Sequence, residues 1–160
     1  EVKKTYSDIR YVIAGEGQDM PLLECMIAEL GLQENVFLPG ILQNIAPLLK
    51  VSDIAVLPSL VEPLGMFQIE AQYLGVPTIV SDAGGIPETI VHQKTGLIVK
   101  AGLVQHWADA IVWTLNHSDE AKQLAKAGRE FVLAKFSLES NITQFIELIK
   151  NSSSIKKRHN

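Results

Sequence analysis

A chain of 160 residues is long enough to bury a sizeable core and short enough to form one domain. With 47% apolar and 20% charged residues it reads as globular, and a net charge of −4 gives no general attraction to nucleic acid. Cys25 is the only cysteine, which excludes an internal disulfide framework and a thiolate metal cluster, and no apolar run reaches the roughly 18 residues needed to cross a bilayer.

The opening "EVKKTYSDIR" is patterned neither as a signal peptide nor as a transit peptide, so a soluble, cytoplasmic domain is expected. "RYVIAG", a short apolar run closed by Gly15, predicts a strand. From Asp19 to Leu30, Leu22, Leu23, Met26, Ile27 and Leu30 recur at helical spacing, and Gly31 stops the helix. "NVFLPG" predicts a second strand, Ile45–Lys50 a short helix and "DIAVLPS" a third strand. A helix from about Gly65 to Leu74 follows, then the strands "PTIVS" and "GLIVK". Three helices close the chain. Leu103–Leu115 carries Val104, Trp107, Ala108, Ile111 and Leu115 on one face, which places Trp107 in the core. Glu120–Ala134 carries Leu124, Ala125, Phe131 and Val132, and Leu138–Ile149 carries Ile142, Phe145, Ile146 and Ile149 behind Ser137 as N-cap. The expected organisation is a remnant of a preceding segment at 1–10, one domain at 11–150, and a disordered basic tail at 151–160 that includes "KKR".

Solid apolar strands alternating with helices predict a Rossmann-like α/β fold, a parallel sheet with helices on both faces. Such sheets bind ligands beyond the carboxyl ends of their strands. Three loops fall there: "AGEGQD", "LPGILQN" and "PSLVEPLGM". In the third, Pro63 pushes Glu62 out of helical geometry, so Glu62 belongs to the loop. Gly65 permits close approach of a ligand to the backbone, and the N–H groups of Gly65, Met66 and Phe67 open a helix as unpaired donors suited to phosphate. Glu70, one turn on, accepts hydrogen bonds and repels phosphate, which suits a diol such as a ribose. The loop thus measures out a ligand: a diol at one end, anionic groups in the middle, and a polar group facing Glu62 at the other. Two glutamates eight positions apart carry little by themselves. The "GEG" of the first loop is weaker still, because Met20 stands where a third glycine would complete a dinucleotide motif. "AGG" at 83–85 reads as a turn needing positive φ, Asp53 and Asp82 as turn residues, and four scattered histidines suggest no metal.

Taken in order, "YVIAGEGQ", "NVFLPG", "SDIAVLPSLVEPLGMFQIEAQYLGVPTIVSDAGGIPETI" and "TGLIV" resemble the donor-binding half of family 4 glycosyltransferases, retaining enzymes of the two-domain GT-B architecture. The resemblance covers roughly 11–150 and centres on E-x7-E at Glu62 to Glu70, E-A-x-x-x-G-x-P at Glu70–Pro77 and S-D-x-G-G-x-x-E at Ser81–Glu88. It implies that Glu70 binds the ribose hydroxyls of a nucleotide-sugar. It implies that Glu62 contacts the transferred sugar and stabilises charge near its anomeric carbon. The segment Pro63, Leu64, Gly65, Met66 and Phe67 would meet sugar and diphosphate. Gly15 and Gly17 would border the nucleotide, and Leu38, Pro39 and Gly40 would cradle the base. The chemistry implied is transfer of a sugar to a hydroxyl with retention, without a metal or other cofactor, and UDP-sugar is the favoured donor. Peripheral membrane contact and a homo-oligomer are left open. A sugar-nucleotide epimerase, a phosphorylase and a non-catalytic nucleotide-binding module are the alternatives.

Two departures from the family pattern shape the expectations. The usual first strand, with its Gly-Arg…Lys-Gly cations for the diphosphate, has no counterpart, and Lys3, Lys4 and Arg10 stand in another context. An acceptor domain for a glycan or glycolipid is also missing, so the chain is expected to be inactive alone. In a sheet of order 3-2-1-4-5-6, "RYVIAG" and "DIAVLP" would flank the place of the missing strand. Direct pairing of these two strands, or pairing with another chain, is the expected remedy for the open edges; filling by "EVKKTYSD" is the poorer option because of its charge.

Overall fold

The computed structural model describes residues 1–156 and the side chains of residues 1–151. In chain order it contains β1 (Tyr11–Ala14), α1 (Met20–Glu29), β2 (Val36–Gly40), α2 (Ala46–Val51), β3 (Ala55–Leu57), α3 (Phe67–Tyr73), β4 (Thr78–Ser81), β5 (Leu97–Val99), α4 (Val104–Asn116), α5 (Ser118–Lys135) and α6 (Leu138–Lys156). Single 3-10 turns lie at Val2–Lys4 and Ile86–Thr89. Each predicted strand and helix is present, and the strand pairs are parallel.

The core gathers where β-branched and small residues coincide. All four residues of β4 are buried, as expected of a strand covered on both faces. Leu49, Ala55, Ala71 and Val76 join α2, β3 and α3, and Val80, Ala83, Ile86 and Ile90 pack β4 against the turn that follows it. Helix α5 lies on α3 at Gly128, where a Cβ would stand 2.7 Å from the Thr95 carbonyl oxygen and 3.1 Å from Gln72 Oε1. Only glycine lets the two helices approach this closely.

The sheet comes in two pieces, β1-β2 and β3-β4-β5. Among the described residues no ladder joins β1 to β3, so the direct pairing expected from the sequence does not form. The reason is the cluster just named: Ala55 of β3 is held by Leu49, Ala71 and Val76, and moving β3 across to β1 would break that packing. Nor does the start of the chain supply a strand. Val2–Lys4 makes one turn against α4, Tyr6 Oη donates to Asn116 Oδ1 at 2.5 Å, and Lys3 Nζ donates to the Gly31 carbonyl at 2.8 Å. Its charged side chains stay in water. Among the described residues β1 pairs on one edge only, with β2, and no β1 residue is fully buried.

Three expectations about helix faces are corrected. Trp107 is half-buried rather than buried, because its indole N–H reaches the Lys100 carbonyl at 3.2 Å and so keeps the ring at the helix entrance. Val104, placed with Trp107 on the inner face, is exposed. Helix α6 extends to Lys156, into the stretch expected to be a tail from 151; residues 157–160 lie outside the described residues. Its apolar stripe of Ile142, Phe145 and Ile146 is exposed in this chain, as are Leu22 and Met26 of α1 and Leu30 just after it. Ser137 does cap α6: its Oγ accepts from the Ser140 N–H at 3.1 Å.

Candidate functional site

The carboxyl ends of the strands carry the loops singled out above. After β1, Gly15 (φ +133) donates its N–H to the Gly40 carbonyl at 2.8 Å, so the first two loops meet backbone to backbone. Leu38, Pro39 and Gly40 are the end of β2 rather than a free loop. Strand β2 is an edge strand, where the missing N–H of Pro39 is tolerated. The pairing of β1 with β2 shifts register between Val12 and Ala14, and Gly40 takes φ +74 beside that irregularity. Gly17 faces open space, since a Cβ there would meet nothing within 4 Å.

After β3 the chain runs through Glu62, Pro63 and Leu64 to Gly65 (φ +78), a conformation that side chains disfavour and that lies outside the helical region. Helix α3 therefore starts at Phe67, two residues later than the pattern suggested. Glu62 is half-buried and its carbonyl accepts from the Gly85 N–H at 3.2 Å. The turn at Gly84 (φ +54) and Gly85 supports this loop directly. A Cβ on Gly84 would run into the Glu62 carbonyl, and one on Gly85 into the Pro63 carbonyl. The sequence reads "AGG" as a turn that could touch ligand and as part of the Ser81–Glu88 motif; the structure adds that it admits the Glu62 loop at backbone contact. Among the described residues the N–H groups of Gly65, Met66 and Phe67 donate to no acceptor.

Glu70, exposed one turn into α3, lines a groove of about 570 Å³ with Ile69 and Tyr73 of its own helix, Gln43 and Ala46 from the segment after β2, and Phe136. The structure thus brings Gly15 to Gly40, Glu62–Gly65 to Gly84–Gly85, and Glu70 to the entrance of α2. No hydrogen bond among the described residues joins the first of these groups to the second. A larger groove, of about 950 Å³, lies between β5, α4 and α5, and none of these site residues lines it.

Sequence reasoning missed three polar side chains under the loop: Gln68, Gln72 and Thr89, all fully buried. A signal was there to read, two glutamines one helical turn apart on the same face as Ala71 and Ile69 in an otherwise apolar position.

A sequence model of one family, described as glycosyl transferases group 1, matches residues 1–131. An uncharacterized glycosyltransferase of Bacillus subtilis, YqgM, is 35% identical over 159 residues, which are 96% of this chain and 44% of that protein. A GDP-mannose-dependent alpha-(1-6)-phosphatidylinositol monomannoside mannosyltransferase of Mycobacterium tuberculosis is 28% identical over 97% of this chain and 43% of its own length. The chain therefore spans less than half the length of these relatives. Among solved structures, a point mutant of S. aureus TarM in complex with fondaparinux, alpha-GlcNAc-glycerol and UDP superposes with a TM-score of 0.85 at 27% identity, over 92% of this chain and 30% of that one.

Proposed function

This chain belongs to the glycosyl transferases group 1 family, and from that premise we propose that it is the donor-binding part of a retaining glycosyltransferase that uses a UDP-sugar. The observation that carries the reading is the loop from Glu62 to Phe67. It is seated on Gly84 and Gly85, it leaves three consecutive N–H groups free, and a glutamate stands at each end of it.

In this proposal the free N–H groups of Gly65, Met66 and Phe67 meet the diphosphate and hold the negative charge that collects on it as the glycosidic bond breaks. Glu70 accepts hydrogen bonds from the ribose diol. Glu62, at the other end, contacts the sugar and stabilises positive charge at the anomeric carbon. The geometry asks for donors at fixed positions before the charge develops, and the backbone contact to Gly84 and Gly85 is what fixes them. Gly15 and Gly17 border the nucleotide, with Leu38, Pro39 and Gly40 beside the base. The UDP bound to TarM favours a uridine donor. The acceptor, a glycan or glycolipid, would be held by a further part of a longer enzyme, so we propose that the isolated chain binds donor without turning over.

The test is a thermal-shift panel of UDP-, GDP- and ADP-sugars, followed by calorimetry on the donor that stabilises best. Glu70→Ala is expected to weaken binding by about 1.5–3 kcal/mol, the contribution of hydrogen bonds to a charged group. Unchanged affinity in that variant would remove the ribose assignment. Stabilisation by GDP-sugars alone would transfer the donor from uridine to guanosine, the base named in the mycobacterial relative.

A further inference from the structure

Under the Glu62–Gly65 loop lies a hydrogen-bonded cluster that the donor contacts do not account for. Gln68 Nε2 donates to the Leu64 carbonyl at 2.5 Å and to Thr89 Oγ1 at 3.2 Å. Gln72 Nε2 donates to the Gln68 carbonyl at 3.2 Å and the Thr89 carbonyl at 2.9 Å, and Thr89 Oγ1 donates to the Ile86 carbonyl at 2.7 Å. Both glutamines are 0% exposed, and among the described residues the Oε1 atom of neither has a hydrogen-bond partner. A buried amide oxygen without a donor destabilises a fold, but each Nε2 satisfies buried acceptors that an apolar side chain would leave unpaired. Contact with Thr89 alone does not explain why Gln68 also reaches back to the Leu64 carbonyl.

The direction of one peptide group does. In a trans peptide the C=O and the following N–H point in opposite directions. Gln68 holds the Leu64 carbonyl inward, which turns the Gly65 N–H outward, and that N–H has no acceptor among the described residues. The same side chain closes the space beside Gly65, where a Cβ would lie 2.6 Å from Gln68 Oε1. We propose that Gln68 is a positioning residue for donor binding: it orients the Leu64–Gly65 peptide so that the Gly65 N–H faces the diphosphate, while Gln72 and Thr89 hold Gln68 in place. The inference rests on the donor-site reading above.

The wild-type chain, Gln68→Met and Gln68→Glu are titrated with UDP, GDP and ADP by calorimetry, with melting temperatures and the NMR order parameter of the Gly65 amide recorded alongside. Methionine keeps the length and removes the donor. Gln68→Met leaves the Leu64 carbonyl and Thr89 Oγ1 without this donor and is expected to melt lower than wild type, to bind nucleotide about tenfold more weakly at a temperature where both chains are folded, and to show a lower order parameter at Gly65 with Val80 unchanged. Gln68→Glu carries no donor when ionised and regains an O–H toward Leu64 when protonated. Burial raises the pKa of that carboxyl, so its affinity relative to wild type should rise as the pH falls from about 8 to about 5. Wild-type affinity and an unchanged Gly65 amide in Gln68→Met would overturn the proposal. So would affinity lost only in proportion to melting temperature with no pH-dependent recovery in Gln68→Glu. If wild type binds none of the three nucleotides, the donor-site reading falls and this inference with it; if wild type binds and Gln68→Met binds equally, the inference alone falls.

Discussion

Gly85 occupies a position where no side chain fits, because the atoms a Cβ would meet belong to the Pro63 carbonyl and the Leu64 Cα rather than to a side chain that can swing away. Gly85→Ala must push the Glu62 loop outward or distort the turn. We expect a loss of about 1–3 kcal/mol of stability, typical of overpacking, read as a melting temperature lower by several degrees, together with weaker nucleotide binding. Gly75→Ala is the control: Gly75 has φ +75 but open space around it, so only backbone strain is at stake and binding should not change. If the two variants lose binding alike, contact with the loop is not what matters at Gly85. At this scale the sequence pointed to Glu62, Pro63, Gly65 and Glu70 as candidates, since a short motif records the local backbone geometry that Pro63 and Gly65 impose. It did not reveal Gln68, Gln72 and Thr89, whose partners stand 17 and 21 residues away and are chosen by tertiary packing.

Strand and helix positions were legible because apolar runs bounded by glycine, proline and polar residues carry the periodicity of each element. What periodicity does not carry is whether anything covers the apolar face. Ile142, Phe145 and Ile146 on α6 and Ala125 and Val132 on α5 all fall at helical spacing, yet the first set is exposed and the second buried. The start of α3 was misplaced for a related reason. Gly65 continues the helical spacing in sequence, but its φ of +78 excludes it from the helix. The α3–α5 contact supplies the prediction that belongs here. Gly128→Val places a branched side chain against the Thr95 carbonyl and Gln72, and should cost about 2–3 kcal/mol in urea denaturation. A cost below about 0.5 kcal/mol would mean that α5 shifts freely on α3.

For the molecule as a whole, two sheet fragments of unequal burial imply unequal stability. β4 is wholly buried between two paired neighbours, whereas β1 has one partner and no fully buried residue. Native-state amide exchange should therefore be slower at Val80 than at Val12 by about two orders of magnitude or more, with β1 and β2 opening as a unit below the global unfolding free energy. Equal protection of the two strands would show that they unfold together and that the division of the sheet has no energetic meaning. The overall α/β architecture and the parallel order were foreseeable from the alternation of elements. The fate of the open edge was not, because it depends on how firmly β3 is held by Leu49, Ala71 and Val76, a balance of packing energies that no local pattern encodes.

The seating of the Glu62 loop on the glycine pair also has a consequence for timing. A loop whose carbonyls rest on another backbone, as those of Glu62 and Pro63 do, has little room to swing as a lid. Around Gly15 and Gly17 the space is open. In the proposed donor site the Glu62 loop is therefore a template fixed before a ligand arrives. Further stiffening of that loop should then leave the arrival and residence time of a nucleotide unchanged.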